Sequence, residues 1–165
     1  MGLRYRLLLL IFLAGFTANA QQIGFGLTNF VGSGLSNDLG LNLSFVKPLP
    51  KHALQFELEM RSIDWGNSLN FGLGFKATYK EFSALTIGGI TSGYFGVSPF
   101  QQKSFATYGV AYLPYLKWQS KGRLYIEMAF GIRYNVVSGY NEYGNYSQLE
   151  FPLRITSGWQ LSHQE

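Results

Sequence analysis

The sequence predicts an all-β fold, an eight-stranded antiparallel up-and-down transmembrane β-barrel. Three observations carry that expectation. Apolar and polar residues alternate one for one in segment after segment. Tight links alternate with longer ones along the chain. The apolar face is too bulky to fit inside a barrel of this size, whose lumen side chains alone can fill.

The first segment covers about 22–31, and the second, about 37–47, sets Leu39, Leu41, Leu43 and Phe45 against Gly40, Asn42 and Ser44. The third, about 52–64, contains "QFELEMR", where Phe56, Leu58 and Met60 alternate with Gln55, Glu57, Glu59 and Arg61. In the fourth, about 68–79, Leu69, Phe71, Leu73 and Phe75 oppose Asn70, Gly72, Gly74 and Lys76. The fifth (about 82–94) and sixth (about 104–118) alternate less cleanly. The seventh, about 122–137, places Leu124, Ile126, Met128, Phe130, Ile132 and Tyr134 against Arg123, Glu127, Gly131 and Arg133. The eighth, about 147–162, opposes Leu149, Phe151, Leu153 and Ile155 to Gln148, Glu150 and Arg154. Pro114 and Pro152 each remove a ladder donor, so bulges or distorted pairing are expected there.

The links "KPLPKH", "KE" and "QSKG" are tight, "FGVSPFQQKS" and "VSGYNEYGNYS" are long, and "GSGLS" and "DWGNS" are intermediate. Short inner turns and longer outer loops are the rhythm of an up-and-down barrel with its N-terminus on the periplasmic side.

The same alternation decides which face meets which solvent. Phe, Leu, Ile and Trp crowd one face, while Gly, Ser, Thr and Asn dominate the other. Small residues suit a narrow interior, so the apolar face is expected to look outward, toward lipid. The charges then fall inside. Glu57, Glu59, Glu127 and Glu150 are set against Arg61, Lys76, Arg133 and Arg154, equal in number and opposite in sign. Buried charge persists when paired, so these residues are expected to form a lumen charge network that plugs the barrel. A hairpin centred on Gly66-Asn67 would set Glu57 across from Lys76, and the last outer loop would bring Arg133 near Glu150. Aromatics near strand ends (Phe30, Phe45, Trp65, Tyr79, Tyr94, Phe95, Trp118, Tyr134 and Trp159) are expected at the two membrane–water interfaces.

Residues 1–20 combine Arg4 and Arg6, an apolar run from Leu7 to Phe16, and Ala18-Asn19-Ala20. That pattern is a cleavable signal peptide, leaving 21–165 as the barrel. Loss of the two arginines lowers the formal net charge from +4 to +2, too little for a nucleic-acid partner. The chain has no Cys, which removes disulfides and thiolate metal sites. Charged residues make up 13% and aromatics 17%, against about 25% charged in soluble domains.

These features together resemble the small outer-membrane β-barrels of Gram-negative bacteria, the OmpA/OmpX-like type. The resemblance lies in the signal peptide, eight alternating strands, short inner turns, long outer loops and charged lumen, over the whole of 21–165. It implies location in the outer membrane, insertion by the outer-membrane assembly machinery, and outer-membrane lipid and lipopolysaccharide as neighbours. Such barrels usually finish on an aromatic residue, whereas this chain continues past Trp159 and Leu161 to "SHQE".

No catalytic, cofactor or metal site is expected. Lipid-modifying barrels need a His with a Ser and an acidic partner. Here His52 lies in a tight turn and His163 in the C-terminal tail. The candidate recognition residues are in the outer loops: Tyr140, Glu142, Tyr143 and Tyr146 in one, Phe95 and Phe100 in the other. The leading reading is a non-enzymatic outer-membrane barrel with a structural or surface-interaction role through those loops. The alternatives are a narrow pore for small solutes and a secreted lipocalin-like carrier with the faces inverted.

Overall fold

The computed structural model of the chain describes residues 21–32, 38–63, 66–100, 103–141 and 144–161. Its strands are β1 (Gln22–Gly32), β2 (Asp38–Pro48), β3 (Ala53–Ile63), β4 (Gly66–Phe82), β5 (Leu85–Phe100), β6 (Lys103–Gln119), β7 (Leu124–Phe130), β8 (Ile132–Asn141) and β9 (Gly144–Gln160). Each pairs antiparallel with its neighbours in one sheet, and β1 pairs with β9 to close it. Both β7 and β8 lie between β6 and β9, so they are two halves of one wall strand. The result is a closed eight-stranded antiparallel barrel. Closure leaves no sheet edge with unsatisfied backbone groups.

The interruption between β7 and β8 falls at Gly131. The β6 register carries Pro114 to this break on one side, and the β9 register carries Pro152 to it on the other. A proline removes one donor but leaves residue spacing unchanged. Accordingly, pairing lapses at the break while the register continues unshifted across it, so of the expected bulges or distorted pairing at the prolines this break shows the distorted pairing. Gly131 bonds through its N–H to the Pro152 carbonyl at 3.3 Å. The bulge in β4 lies elsewhere, at Tyr79, between Thr78 and Lys80.

The outer links are shorter than the sequence implies. Pairing between β5 and β6 runs out to Phe100 and Lys103, and Asn141 of β8 pairs with Gly144 of β9. Continuing the ladder satisfies backbone groups that an open loop would leave to water, and the Val, Tyr and Phe residues of these segments favour strands. At the opposite end, Ser83 adopts φ 45° in the turn between β4 and β5.

Burial alternates along β7 as exposed–buried from Leu124 to Phe130. Met128 and Phe130 are 49% and 57% exposed, whereas Glu127 is 3% exposed. The same order, apolar outward and polar inward, recurs in β8 and β9, and in β3 where Met60 is exposed between buried Glu59 and Arg61. A lipocalin-like carrier needs the apolar face inside, so this orientation overturns that alternative.

Two clusters refine the picture. Phe45 and Phe56 pair in register with ring centroids 6.3 Å apart, packed by Ile23, Leu43 and Phe71. Inside, Ile90, Ala111, Leu113, Tyr115 and Ala129 form an apolar cluster on the β5–β6–β7 wall. The interior is thus two-sided: apolar on that wall, ionic on the rest.

A charge-filled lumen as the candidate functional site

The lumen charges arise from strand parity. In β3, Gln55, Glu57, Glu59 and Arg61 occupy the inward positions because Phe56, Leu58 and Met60 occupy the outward ones. The same alternation delivers Lys76 from β4, Glu127 from β7, Arg133 from β8, and Glu150 and Arg154 from β9. All but Glu57 are at most 7% exposed.

They meet in two groups. Nearer the long-hairpin end, Arg61 contacts Glu150 at 2.7 Å and Arg133 contacts Glu59 at 2.7 Å, with Arg133 Nε 3.9 Å from Glu150. Asn70 donates to Glu59 at 3.0 Å and accepts from Thr107 at 3.0 Å. Nearer the chain termini, Lys76 pairs with Glu127 and Arg154 with Glu57, while Arg154 Nη2 stands 3.9 Å from Glu127. Each of the four glutamates therefore has a cationic partner across the lumen. Charge-assisted bonds of this kind offset the cost of taking ions out of water.

The expected Glu57–Lys76 pairing is corrected by the register. Ile63 pairs with Gly66 and Ser62 with Asn67, so Gly66-Asn67 belongs to the β3–β4 ladder rather than to the centre of its turn. That register sets Glu57 opposite Gly72 and Lys76 opposite Ala53. Arg133 does sit opposite Glu150 in the β8–β9 register, although the shorter contact of Arg133 is to Glu59.

Two aromatics expected at the rim point inward instead. Phe30 is 1% exposed and lies under both guanidinium groups, with Arg61 at 4.2 Å and Arg133 at 5.1 Å from its ring centre. Tyr94 lies 3.6 Å beneath Arg133 and donates through its hydroxyl to Asn135. Cation–π contact adds to the ionic network where water is excluded. Inward parity with Thr28 and Ser92 was the available signal; aromatic identity near a strand end outweighed it. Lys117, also inward and absent from the expected set, lies over the Tyr125 ring at 4.8 Å. Its alternation with Leu116 and Trp118 was the signal there.

Between the ionic groups and the apolar wall lies a cavity of about 40 Å³, bordered by Glu57, Glu59, Tyr94, Leu113, Arg133 and Arg154. That volume admits water and little else. The arrangement joins strands across the lumen through charge-assisted contacts. His52 is exposed in the β2–β3 turn, and His163 lies outside the described residues.

The loop candidates do not gather into one described site. Phe95 is 56% exposed on the outer wall, between Phe71 and Tyr108 in register. It belongs to the barrel surface rather than to a loop. The backbones of Phe100, Tyr140 and Tyr146 lie in β5, β8 and β9, with their side chains outside the described set. Glu142, Tyr143 and the expected rim residue Trp65 lie outside the described residues.

No family model and no curated protein matches the chain. Solved structures do. Neisserial surface protein A superposes with a TM-score of 0.62, at 10% identity, covering 84% of this chain and 94% of that one. The fold is that of a small OmpA/OmpX-type barrel. The N-terminal β-barrel domain of Pseudomonas aeruginosa OprF aligns over 85% of this chain and 98% of its own, at 8% identity and a TM-score of 0.46. At such identities the likeness concerns the path of the chain.

Proposed function

We propose that the chain is a non-enzymatic integral protein of the outer membrane, exported by residues 1–20 and closed to solutes by its lumen charge network. Its role is structural or surface-directed, through the hairpins at the end away from the chain termini. The observation that carries this reading is the orientation of the faces. Large apolar side chains such as Phe25, Phe75, Met128, Phe130 and Ile155 stand exposed on the outer wall, while the ionic side chains of the lumen are buried against one another. Water would penalise the first arrangement, and a bilayer favours it.

The dimensions agree. Outward-facing Tyr108 and Trp118 lie ten residues apart on β6, about 33 Å along a strand. A tilt of about 40° projects this onto an apolar band of ~25 Å, with aromatic rings at both borders. Phe95 and Tyr134 accompany Tyr108 at one border, and Trp159 accompanies Trp118 at the other.

Membrane fractionation with a heat-modifiable gel shift tests the reading. Detergent-dependent extraction from the outer membrane and a faster-migrating unheated band are expected. Recovery in a soluble fraction without detergent would overturn it. Planar-bilayer recordings test the closed lumen: absence of stable conductance is expected, and a conductance that changes in Glu57→Gln would establish the pore instead.

A further inference from the structure

Beside its four ion-paired glutamates the lumen carries one further cation, which no carboxylate among the described residues contacts. Glu57, Glu59, Glu127 and Glu150 are matched by Arg61, Lys76, Arg133 and Arg154. Lys117, 7% exposed, is additional. Its register partner across the β6–β7 ladder is Glu127, whose carboxylate is engaged by Lys76, with Arg154 at 3.9 Å. Among the described residues no carboxylate lies within 4.0 Å of the Lys117 ammonium. Its neighbours are the Gln22 side-chain oxygen at 3.3 Å and the Tyr125 ring.

Lys117 lines a cavity of about 300 Å³ at the chain-terminus mouth, where Leu161 donates to the Gln21 carbonyl at 2.6 Å. The walls are mainly polar. Lys76 also reaches it, Lys51 and His52 of the β2–β3 turn stand at its rim, and Glu81 is its one acidic side chain. Thr78, Thr86, Gln119 and Gln160 add groups able to donate hydrogen bonds, beside an apolar part of the lining that includes Val46 and Leu49. A buried ammonium in a positive, donor-rich pocket favours a counter-anion from outside the chain.

We propose that this vestibule binds a phosphate-type anion, with Lys117 as its principal ligand and Lys51 as a cation at the entrance. The same chemistry is available from inorganic phosphate and from a phospholipid headgroup at the membrane surface. The site stands on lumen geometry and holds in detergent, so it is separable from the membrane assignment.

The test uses the full chain refolded in a phosphate-free maltoside detergent. The ³¹P line of inorganic phosphate is followed in one arm, and that of phosphatidylglycerol in mixed micelles in the other. Wild-type protein is expected to broaden one or both lines several-fold. Lys117→Met should abolish the broadening, Lys117→Arg should retain it, and both should keep the heat-modifiable folded band. Lys117→Gln replaces the methionine variant if that one does not fold. Broadening by phosphate identifies a free anion, and broadening by the lipid alone identifies the headgroup; either supports the site. Equal broadening by wild type and the neutral variants, or none by either probe, would overturn it.

Discussion

Arg133 and Glu59 are 74 residues apart in sequence, yet their side chains meet at 2.7 Å across the barrel lumen. The contact ties β8 to β3, strands that share no ladder. Lys76–Glu127 and Arg154–Glu57 do the same over separations of 51 and 97 residues. Such cross-lumen contacts fix the cross-section in a way the ladders alone cannot.

Removing one partner should therefore cost more than removing both. Arg133→Met strips Glu59 of its guanidinium and leaves a buried carboxylate. A loss of about 3–5 kcal/mol is expected if the lumen is dry. The double variant Arg133→Met with Glu59→Gln should recover part of it. Urea titrations of the refolded protein, read by gel shift, measure both. Additive losses would show that the two side chains do not act as a pair.

The outer wall offers a contrast that soluble proteins do not show. Met128 is 49% exposed, and an exposed Met→Arg change in water usually shifts stability by no more than about 0.5 kcal/mol. In a bilayer the same substitution near the midplane costs about 2–4 kcal/mol. Refolding of Met128→Arg into lipid vesicles, followed by urea unfolding, distinguishes the two. A neutral outcome would place this face in water.

Much of this architecture is legible in the sequence. Period-two alternation located the strands because one face is apolar and the other is not, as in "LYIEMAF" of β7. The apolar inner wall was not legible. Ile90, Leu113 and Tyr115 share the inward parity of Ser92 and Lys117, so β5 and β6 lack a clean polar face. The ionic partners were hidden for another reason. Cross-strand pairing follows from register, which sets Glu57 opposite Gly72 rather than Lys76, whereas cross-lumen pairing depends on closure of the whole sheet.

Glycines separate close approaches from open ones. A Cβ on Gly109 would lie 2.0 Å from the Tyr134 carbonyl oxygen and 2.5 Å from the Tyr94 hydroxyl, whereas one on Gly93 would meet nothing nearer than 4.0 Å. Gly109→Ala should cost about 1–3 kcal/mol through forced displacement and disturb the Tyr94–Asn135 contact. Gly93→Ala should be near neutral. The same urea titration ranks them, and equal effects would contradict the packing described.

Orientation of the two faces is the central claim, and it is open to direct measurement because the chain contains no native cysteine. Single cysteines at Leu124, Ile126, Met128 and Phe130, spin-labelled after refolding into vesicles, report contact with dissolved oxygen in lipid or with a water-soluble nickel complex. All four labels are expected to respond to oxygen and to be shielded from nickel, most strongly at the middle of the strand. Labels that respond to nickel at Met128 and are shielded from oxygen would contradict the account.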